Sequence, residues 1–233
     1  MPADPNLFPR AMSLAVHELR TPVTVVAGYL RMLLREQAGP ISDKQKKMLE
    51  EADRSCARIT ALVSELSELG KLEGGELKIS GPAFDLSALI SELAGGMHEG
   101  EDRGIRLETR GIDRPVIVAG DRPRLATALR ALIHAALRER ADPGVIVVEC
   151  STSSDHNEMW AVVAIGAEAD VPPLAAVSPR PEFDEWRGGL GMALPVGRRV
   201  IEAHGGAVWS APGDKPKAGT ALRLPIKSTD QSQ

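Results

Sequence analysis

The sequence predicts two parts, a helical hairpin followed by an α/β sandwich, and three observations carry that prediction. An apolar seam at alternating spacings of four and three runs through residues 11–36. The seam returns in residues 43–71. From residue 83 onward, short apolar runs with strand character alternate with helical periodicity.

The first seam is Met12, Val16, Leu19, Val23, Val26, Leu30 and Leu33, the spacing of a coiled-coil face. In AGPISDKQ, Gly39 and Pro40 stop this helix, and Ser42 with Gln45 forms the capping-box pattern that starts another. Met48, Ala52, Ile59, Leu62, Leu66 and Leu69 continue the second seam, with Ser55 as a polar interruption. Two amphipathic helices joined by a short turn make an antiparallel hairpin. One hairpin alone leaves its apolar stripe unpartnered, so pairing with a second copy into a four-helix bundle, a homodimer, is expected.

KLEGGELKISGP, residues 71–82, is glycine-rich and ends the hairpin. The expected division is a hairpin over 1–73, a linker over 74–82, an α/β domain over 83–227 and a disordered tail, STDQSQ, over 228–233. Within the domain, FDLSALISELAGGM reads as a short strand and a helix capped at Ser87. IRLETR and PVIVAG read as strands, and DRPRLATALRALIHAALRER as a long helix. VIVVEC and MWAVVAIG have buried-sheet character, residues 170–187 read as irregular, MALPVGRRVIEAHG is helical, and AVWSA and TALRLPI close as strands. This order predicts one sheet covered by helices on one face.

Composition narrows the function classes. Aromatics are only 3% of the chain, so aliphatic side chains and alanine must do most of the packing. The formal net charge is −4 with both signs mixed, which argues against a nucleic-acid or anionic-membrane partner. Cys56 and Cys150 lack metal-ligand spacing and read as small buried hydrophobes in a reducing compartment, and no metal site is expected. The N-terminus has no signal-peptide pattern and no apolar run approaches a membrane span, so a soluble, cytoplasmic protein is expected.

His17 follows the seam residue Val16 and falls about 100° around the helix from it, on the flank of the bundle. It is therefore expected to be exposed. Pro22 lacks the N–H that would bond to the carbonyl of Glu18 and should bend the helix one turn after His17, at a cost of about 3 kcal/mol in an unsupported helix. A neutral imidazole can attack a phosphoryl group, and Glu18 can hold the opposite ring nitrogen or take its proton. Arg20 can steady phosphate oxygens.

His17-Glu18-Leu19-Arg20-Thr21-Pro22 resembles the phosphoacceptor box of the sensor histidine kinases of two-component signalling. The resemblance implies a dimerising hairpin whose histidine takes phosphate from ATP and passes it to an aspartate on a response-regulator receiver domain. By the same likeness, Glu18 and Thr21 fit the acid-x-x-Thr pattern associated with dephosphorylating that regulator. Residues 83–226 follow the order of the family's Bergerat-like ATP-binding sandwich, and GGLGMALPVGRRVIEAHGGAVW resembles its second glycine box with the following helix and strand.

The resemblance fails where ATP should be held. Ala135 falls on the asparagine that helps bind Mg²⁺, and Ala131 on a second common asparagine; alanine offers no oxygen to a hard cation. His134 between them is a poor Mg²⁺ ligand, expected to point elsewhere. Gly166 replaces the aspartate that accepts a hydrogen bond from adenine, while Glu168 and Asp170 fall on two glycines and bring negative charge toward a polyanion. Arg187 stands at the first glycine of the second box, although Gly189, Gly191 and the Gly219-Thr220 pair remain. The segment between the boxes is shorter than the usual ATP lid. Loss of a charge-assisted bond to adenine alone removes roughly 1.5–3 kcal/mol, about ten- to a hundredfold in affinity.

Three functions remain. One is a histidine phosphotransferase that carries phosphate on His17 and exchanges it with response regulators, with no cofactor. The second is an ATP-dependent kinase using Mg-ATP at a divergent site. The third is a non-catalytic pseudokinase or phosphatase that binds a regulator. The regulator is expected to dock around Thr24, Gly28 and Arg31, with Met32 at the edge, below His17 on the same helix face.

Overall fold

The computed structural model describes residues 7–75, 80–176, 180–187, 189–211 and 219–226, with side chains from Arg10 onward. It divides into two compact units at Leu77 and Lys78. Residues 76–79 of the expected linker and the expected tail 228–233 lie outside the described residues.

The first unit is a hairpin of α1 (Leu7–Leu34) and α2 (Asp43–Glu73). The capping box forms as the sequence predicts: Gln45 N–H donates to Ser42 Oγ at 3.4 Å, and Ser42 N–H donates to Gln45 Oε1 at 2.8 Å. Gly39 turns the chain between the helices at φ +117°, a conformation that favours glycine. α1 continues unbroken through Pro22, and Thr24 donates its hydroxyl to the Arg20 carbonyl at 2.8 Å.

The seam proves to be two stripes. Val16 and Ala27 of α1, and Cys56, Val63 and Leu69 of α2, are buried within the hairpin, and Cys56 Sγ–H reaches the Val23 carbonyl at 3.5 Å. Leu19, Val26 and Leu33, spaced by seven, stay exposed with Leu14, Val25, Tyr29, Met32, Met48 and Ile59. The expected seam residues Leu19, Val26, Leu33, Met48, Ala52 and Ile59 thus lie outside the contact the hairpin makes with itself. The physical reason is geometric. A helix meeting one neighbour covers about half of a heptad's apolar face, so the other half is left to solvent or to another chain.

The second unit begins with β1 (Ala83–Asp85), α3 (Leu86–Gly95), β2 (Ile105–Arg110), β3 (Ile117–Ala119) and α4 (Arg122–Glu139). It continues with β4 (Gly144–Asp155), β5 (Glu158–Ala167), α5 (Val171–Ala176), α6 (Ala193–Ala203), β6 (Ala207–Ser210) and β7 (Gly219–Pro225). β1 and β3 pair alone, and the main sheet has the order β2-β4-β5-β7-β6, antiparallel except for β2 against β4. The cap of α3 is Asp85 rather than Ser87: its carboxylate accepts from Ser87 N–H at 2.9 Å and from Val116 N–H at 3.1 Å. Ser87 is buried and donates to the Arg114 carbonyl instead, because an acid one step before the helix reaches the orphan amides better.

Strand alternation separates the two faces of the main sheet. Ala161, Val163, Ile165, Leu222 and Leu224, all at most 1% exposed, face the layer of α4 and α6. Trp160, Val162, Ala164, Val147, Ala221 and Trp209 form the opposite cluster, and Val171 and Leu174 of α5 complete it. Both faces are therefore covered, where the sequence predicted one. The cover comes from α5, within the stretch 170–187 that reads from sequence as irregular. Trp209 Nε1–H donates to the Leu174 carbonyl at 3.0 Å, which anchors α5 on that face.

Two side chains lock the ends of α4. Arg103 donates to the carbonyls of Leu137 at 2.8 Å and Arg140 at 2.9 Å, satisfying the acceptors a helix leaves orphaned at its C-terminus. At the other end, His204 contacts the Val200 carbonyl through Nδ1 at 2.7 Å and accepts the Asp121 N–H on Nε2 at 2.9 Å. These partners define a neutral ring with its proton on Nδ1. Burial pushes the His204 pKa below its ordinary value, against smaller opposing effects of the Val200 carbonyl and Asp121, while Arg124 adds to the depression. The contribution to stability is therefore complete above pH about 6.5 and is lost as pH falls through the folded-state value. Urea midpoints measured between pH 7.5 and 5.5 should fall with pH, and His204→Gln should remove that part of the slope.

No helix among the described residues is long and apolar enough to cross a membrane.

Candidate functional site

On the hairpin, burial of Val16 at 4% turns the next residue outward, and the His17 side chain is 77% exposed. Its Nδ1 lies 3.4 Å from Glu18 Oε1, itself on a side chain 72% exposed. With Nδ1 turned to the carboxylate, Nε2 is the nitrogen that can present a lone pair to an incoming electrophile. Arg20 and Thr21, three and four residues on, share the helix face of His17 and are exposed, as is Pro22. Thr24, Gly28, Arg31 and Met32 are exposed along α1 as well. The hairpin thus carries an accessible nucleophile with a base beside it and a cation one turn away.

In the second unit, Ala131, Ala135 and Arg187 sit between the α4/α6 layer and the sheet, whereas Gly166, Glu168 and Asp170 lie at the end of β5 and just before α5. Ala135 is 0% exposed and Ala131 8%, so their methyl groups belong to the core and offer no oxygen. Gly166 lies inside β5, opposite Gly219 of β7 and Val147 of β4. The Glu168 carboxylate receives the Arg110 guanidinium at 2.5 Å, and Asp170 opens α5 by accepting the Leu174 N–H at 3.2 Å. His134 Nδ1 lies 2.5 Å from Glu99 Oε2, with Arg138 Nε 3.9 Å from the same carboxylate. Gly189 and Gly191 adopt φ of +60° and +65° in the turn that leads into α6.

Arg187 is the decisive side chain. It is 0% exposed and its guanidinium donates to the Thr220 hydroxyl, lies 3.5 Å from the Gly219 carbonyl and 3.8 Å from Glu139 Oε2, and sits 5.6 Å from the centre of the Phe183 ring. Burial lowers its pKa, and the charges of Glu139 and Asp184 oppose that shift. The late Thr220, also 0% exposed, is thereby committed to an internal cation. Sequence reasoning saw Arg187 only as a missing glycine and did not identify Glu139. The signal was available: Glu139 is one helical turn beyond Ala135, on the same face of α4, and a buried arginine requires a counter-charge.

Residues 171–176 do not lie over this cleft as a lid. Val171 and Leu174 are 1% exposed against the far face of the sheet, Arg180 stacks 5.1 Å from the Trp209 ring centre, and Asp184 N–H donates to Ser210 Oγ at 3.0 Å. Among the described residues, no group of three or more His, Cys, Asp and Glu side chains is placed to hold a metal ion.

Residues 10–75 match the family model of the His Kinase A (phospho-acceptor) domain. The chain is 25% identical over 233 residues to the sensor protein GacS of Pseudomonas syringae pv. syringae, covering 93% of this chain and 25% of that protein. It is 27% identical over 231 residues to the cell-division control histidine kinase PdhS of Brucella abortus (strain 2308), covering 91% of this chain and 22% of the relative. The chain therefore spans only a minor share of these relatives' lengths. Among solved structures, full-length ShkA in complex with AMPPNP superposes with a TM-score of 0.69 at 20% identity, over 95% of this chain and 46% of that one. The histidine kinase ThkA in complex with the response regulator protein TrrA superposes with a TM-score of 0.52 at 19% identity, over 96% of this chain and 63% of that one. With a hairpin that matches the phospho-acceptor domain model and the α/β sheet domain that follows, this chain has the architecture of a two-component histidine kinase catalytic core.

Proposed function

We propose that this protein is a histidine phosphotransferase that carries phosphate on His17, exchanges it with receiver-domain aspartates of response regulators, and does so without ATP. The exposed apolar stripe of Leu19, Val26 and Leu33 supports a homodimer, in which a second hairpin covers it. In the exchange, His17 Nε2 attacks the phosphorus of the regulator's aspartyl phosphate. The N–P bond forms, the acyl O–P bond breaks, and the aspartate leaves as a carboxylate. Glu18 takes or holds the Nδ1 proton, so the phosphoimidazole need not keep a full positive charge, and Arg20 steadies the phosphoryl oxygens. The reverse sequence delivers phosphate to a second regulator.

The observation that carries the ATP-independent reading is the buried Arg187 guanidinium against Thr220. Mg-ATP is the family's ordinary cofactor, and the residues here do not fit it. Ala135 supplies no metal ligand, Gly166 no acceptor for adenine, and Arg187 fills space that a nucleotide would need.

The test uses two labelled donors. Protein incubated with a ³²P-phosphorylated receiver domain should gain label, while [γ-³²P]ATP with Mg²⁺ should give none. Millimolar Mg-ATP should leave the thermal midpoint unchanged, whereas a ligand at a hundred times its dissociation constant stabilises by about 2.7 kcal/mol, a shift of several degrees. Labelling from ATP would establish a kinase. No labelling from either donor, with regulator binding retained, would establish a non-catalytic binding protein.

A further inference from the structure

Trp186 is 70% exposed, while Trp160 and Trp209 are 8% and 1% exposed. Each buried ring already has a guanidinium against it, Arg223 at 3.9 Å from the Trp160 centroid and Arg180 at 5.1 Å from that of Trp209. Trp186 instead borders a surface cavity of about 300 Å³ lined by Glu182, Phe183, Asp184, Glu185 and Arg198. We infer that this cavity is a docking site for a cationic side chain, an arginine or lysine presented by a partner protein. The inference goes beyond the phosphotransfer reading and does not depend on His17.

Charge selects the occupant. The lining holds three carboxylates and one cation, and that cation, Arg198, is engaged with Glu185 Oε2 at 3.2 Å and Glu202 Oε1 at 2.8 Å. Nearby Arg187 is buried and lies against Glu139. The charge of Asp184 also acts on Arg187, and Glu182 and Asp184 together still leave the mouth of the cavity acidic. An acidic rim beside an indole face is the chemistry that holds a guanidinium or ammonium, by charge from the side and by the ring quadrupole from below.

The site is also built in advance. Trp186 N–H donates to Asp184 Oδ1 at 3.2 Å, Asp184 N–H donates to Ser210 Oγ at 3.0 Å, and Phe183 is 4% exposed beneath Arg187. A fixed backbone means little conformational freedom is lost when a partner binds. An exposed tryptophan at the rim of a concave site is the kind of residue that dominates protein interfaces.

The test uses the full chain labelled with 5-fluorotryptophan, whose three tryptophans give separate ¹⁹F signals assigned by Trp186→Phe. Hexa-arginine should move the Trp186 signal saturably and leave the two buried signals in place. Glu182→Gln combined with Asp184→Asn keeps the acceptor for the Trp186 amide. It should weaken the apparent affinity roughly five- to tenfold, as expected for one exposed and one half-buried charge contact, with the melting temperature lowered by no more than a few degrees, because Asp184 also offsets the burial of Arg187. The proposal is overturned if hexa-arginine moves nothing or moves all three signals alike, if hexa-glutamate acts equally, or if the double substitution has no effect. Choline chloride moving the Trp186 signal as strongly as the peptide would make this a small-molecule site and overturn it too.

Discussion

Glu139→Ala should destabilise the α/β domain by about 3–5 kcal/mol, because it removes the larger of the two carboxylate charges that offset the burial of the Arg187 guanidinium. For a domain of this size that corresponds to a fall in thermal midpoint of roughly 10 °C. The double variant Glu139→Leu with Arg187→Met should behave differently. Replacing both partners by apolar groups removes the desolvation cost together with the attraction, and such exchanges are often neutral or stabilising. The contrast is the informative measurement: denaturant unfolding of the wild type, the single variant and the double variant. If the single variant loses less than about 1 kcal/mol, the pair is solvated and Arg187 does not fill the cleft. The asymmetry follows from the burial of both side chains, 0% exposed for Arg187 and 7% for Glu139.

His17→Gln should abolish phosphoryl uptake from a phosphorylated receiver domain, to below about 1% of the wild-type initial rate, since an amide nitrogen is no nucleophile. Glu18→Gln should slow uptake by on the order of a hundredfold, because glutamine keeps a polar contact to the ring but cannot take a proton. Both side chains are more than 70% exposed, so neither substitution should move the hairpin's melting temperature by more than a degree or two. Quenched-flow labelling with circular-dichroism melts separates the effects. Uptake that survives His17→Gln would place the acceptor elsewhere. A Glu18→Gln protein as fast as wild type would show that the imidazole works without a base.

Much of the fold was legible in the sequence because its signals are local. Heptad spacing, the Ser42–Gln45 capping box and the alternation of strands with helices depend on residues a few positions apart, and the helices and strands formed accordingly. The placement of Asp85 rather than Ser87 as a cap shows the limit of such reading at two-residue resolution, since two polar residues flanking Leu86 both satisfy the pattern. The exposure of His17 was legible for the same local reason: its angle from Val16 is set by helix geometry alone.

What the chain alone determined, then, is the hairpin with its outward imidazole; that Ala135 and Gly166 stand where the resemblance implies metal- and adenine-binding side chains is part of the proposed reading. What only the tertiary structure decided is where the remaining pieces went. Residues 171–176 crossed to the far face of the sheet under Trp209, and Arg187 turned inward to Glu139 and Thr220. Residues 139, 187 and 220 are far apart in sequence, and no local periodicity links them. A buried charge finds its partner only once the sheet and the α4/α6 layer have closed around it, because burial is what makes that pairing necessary.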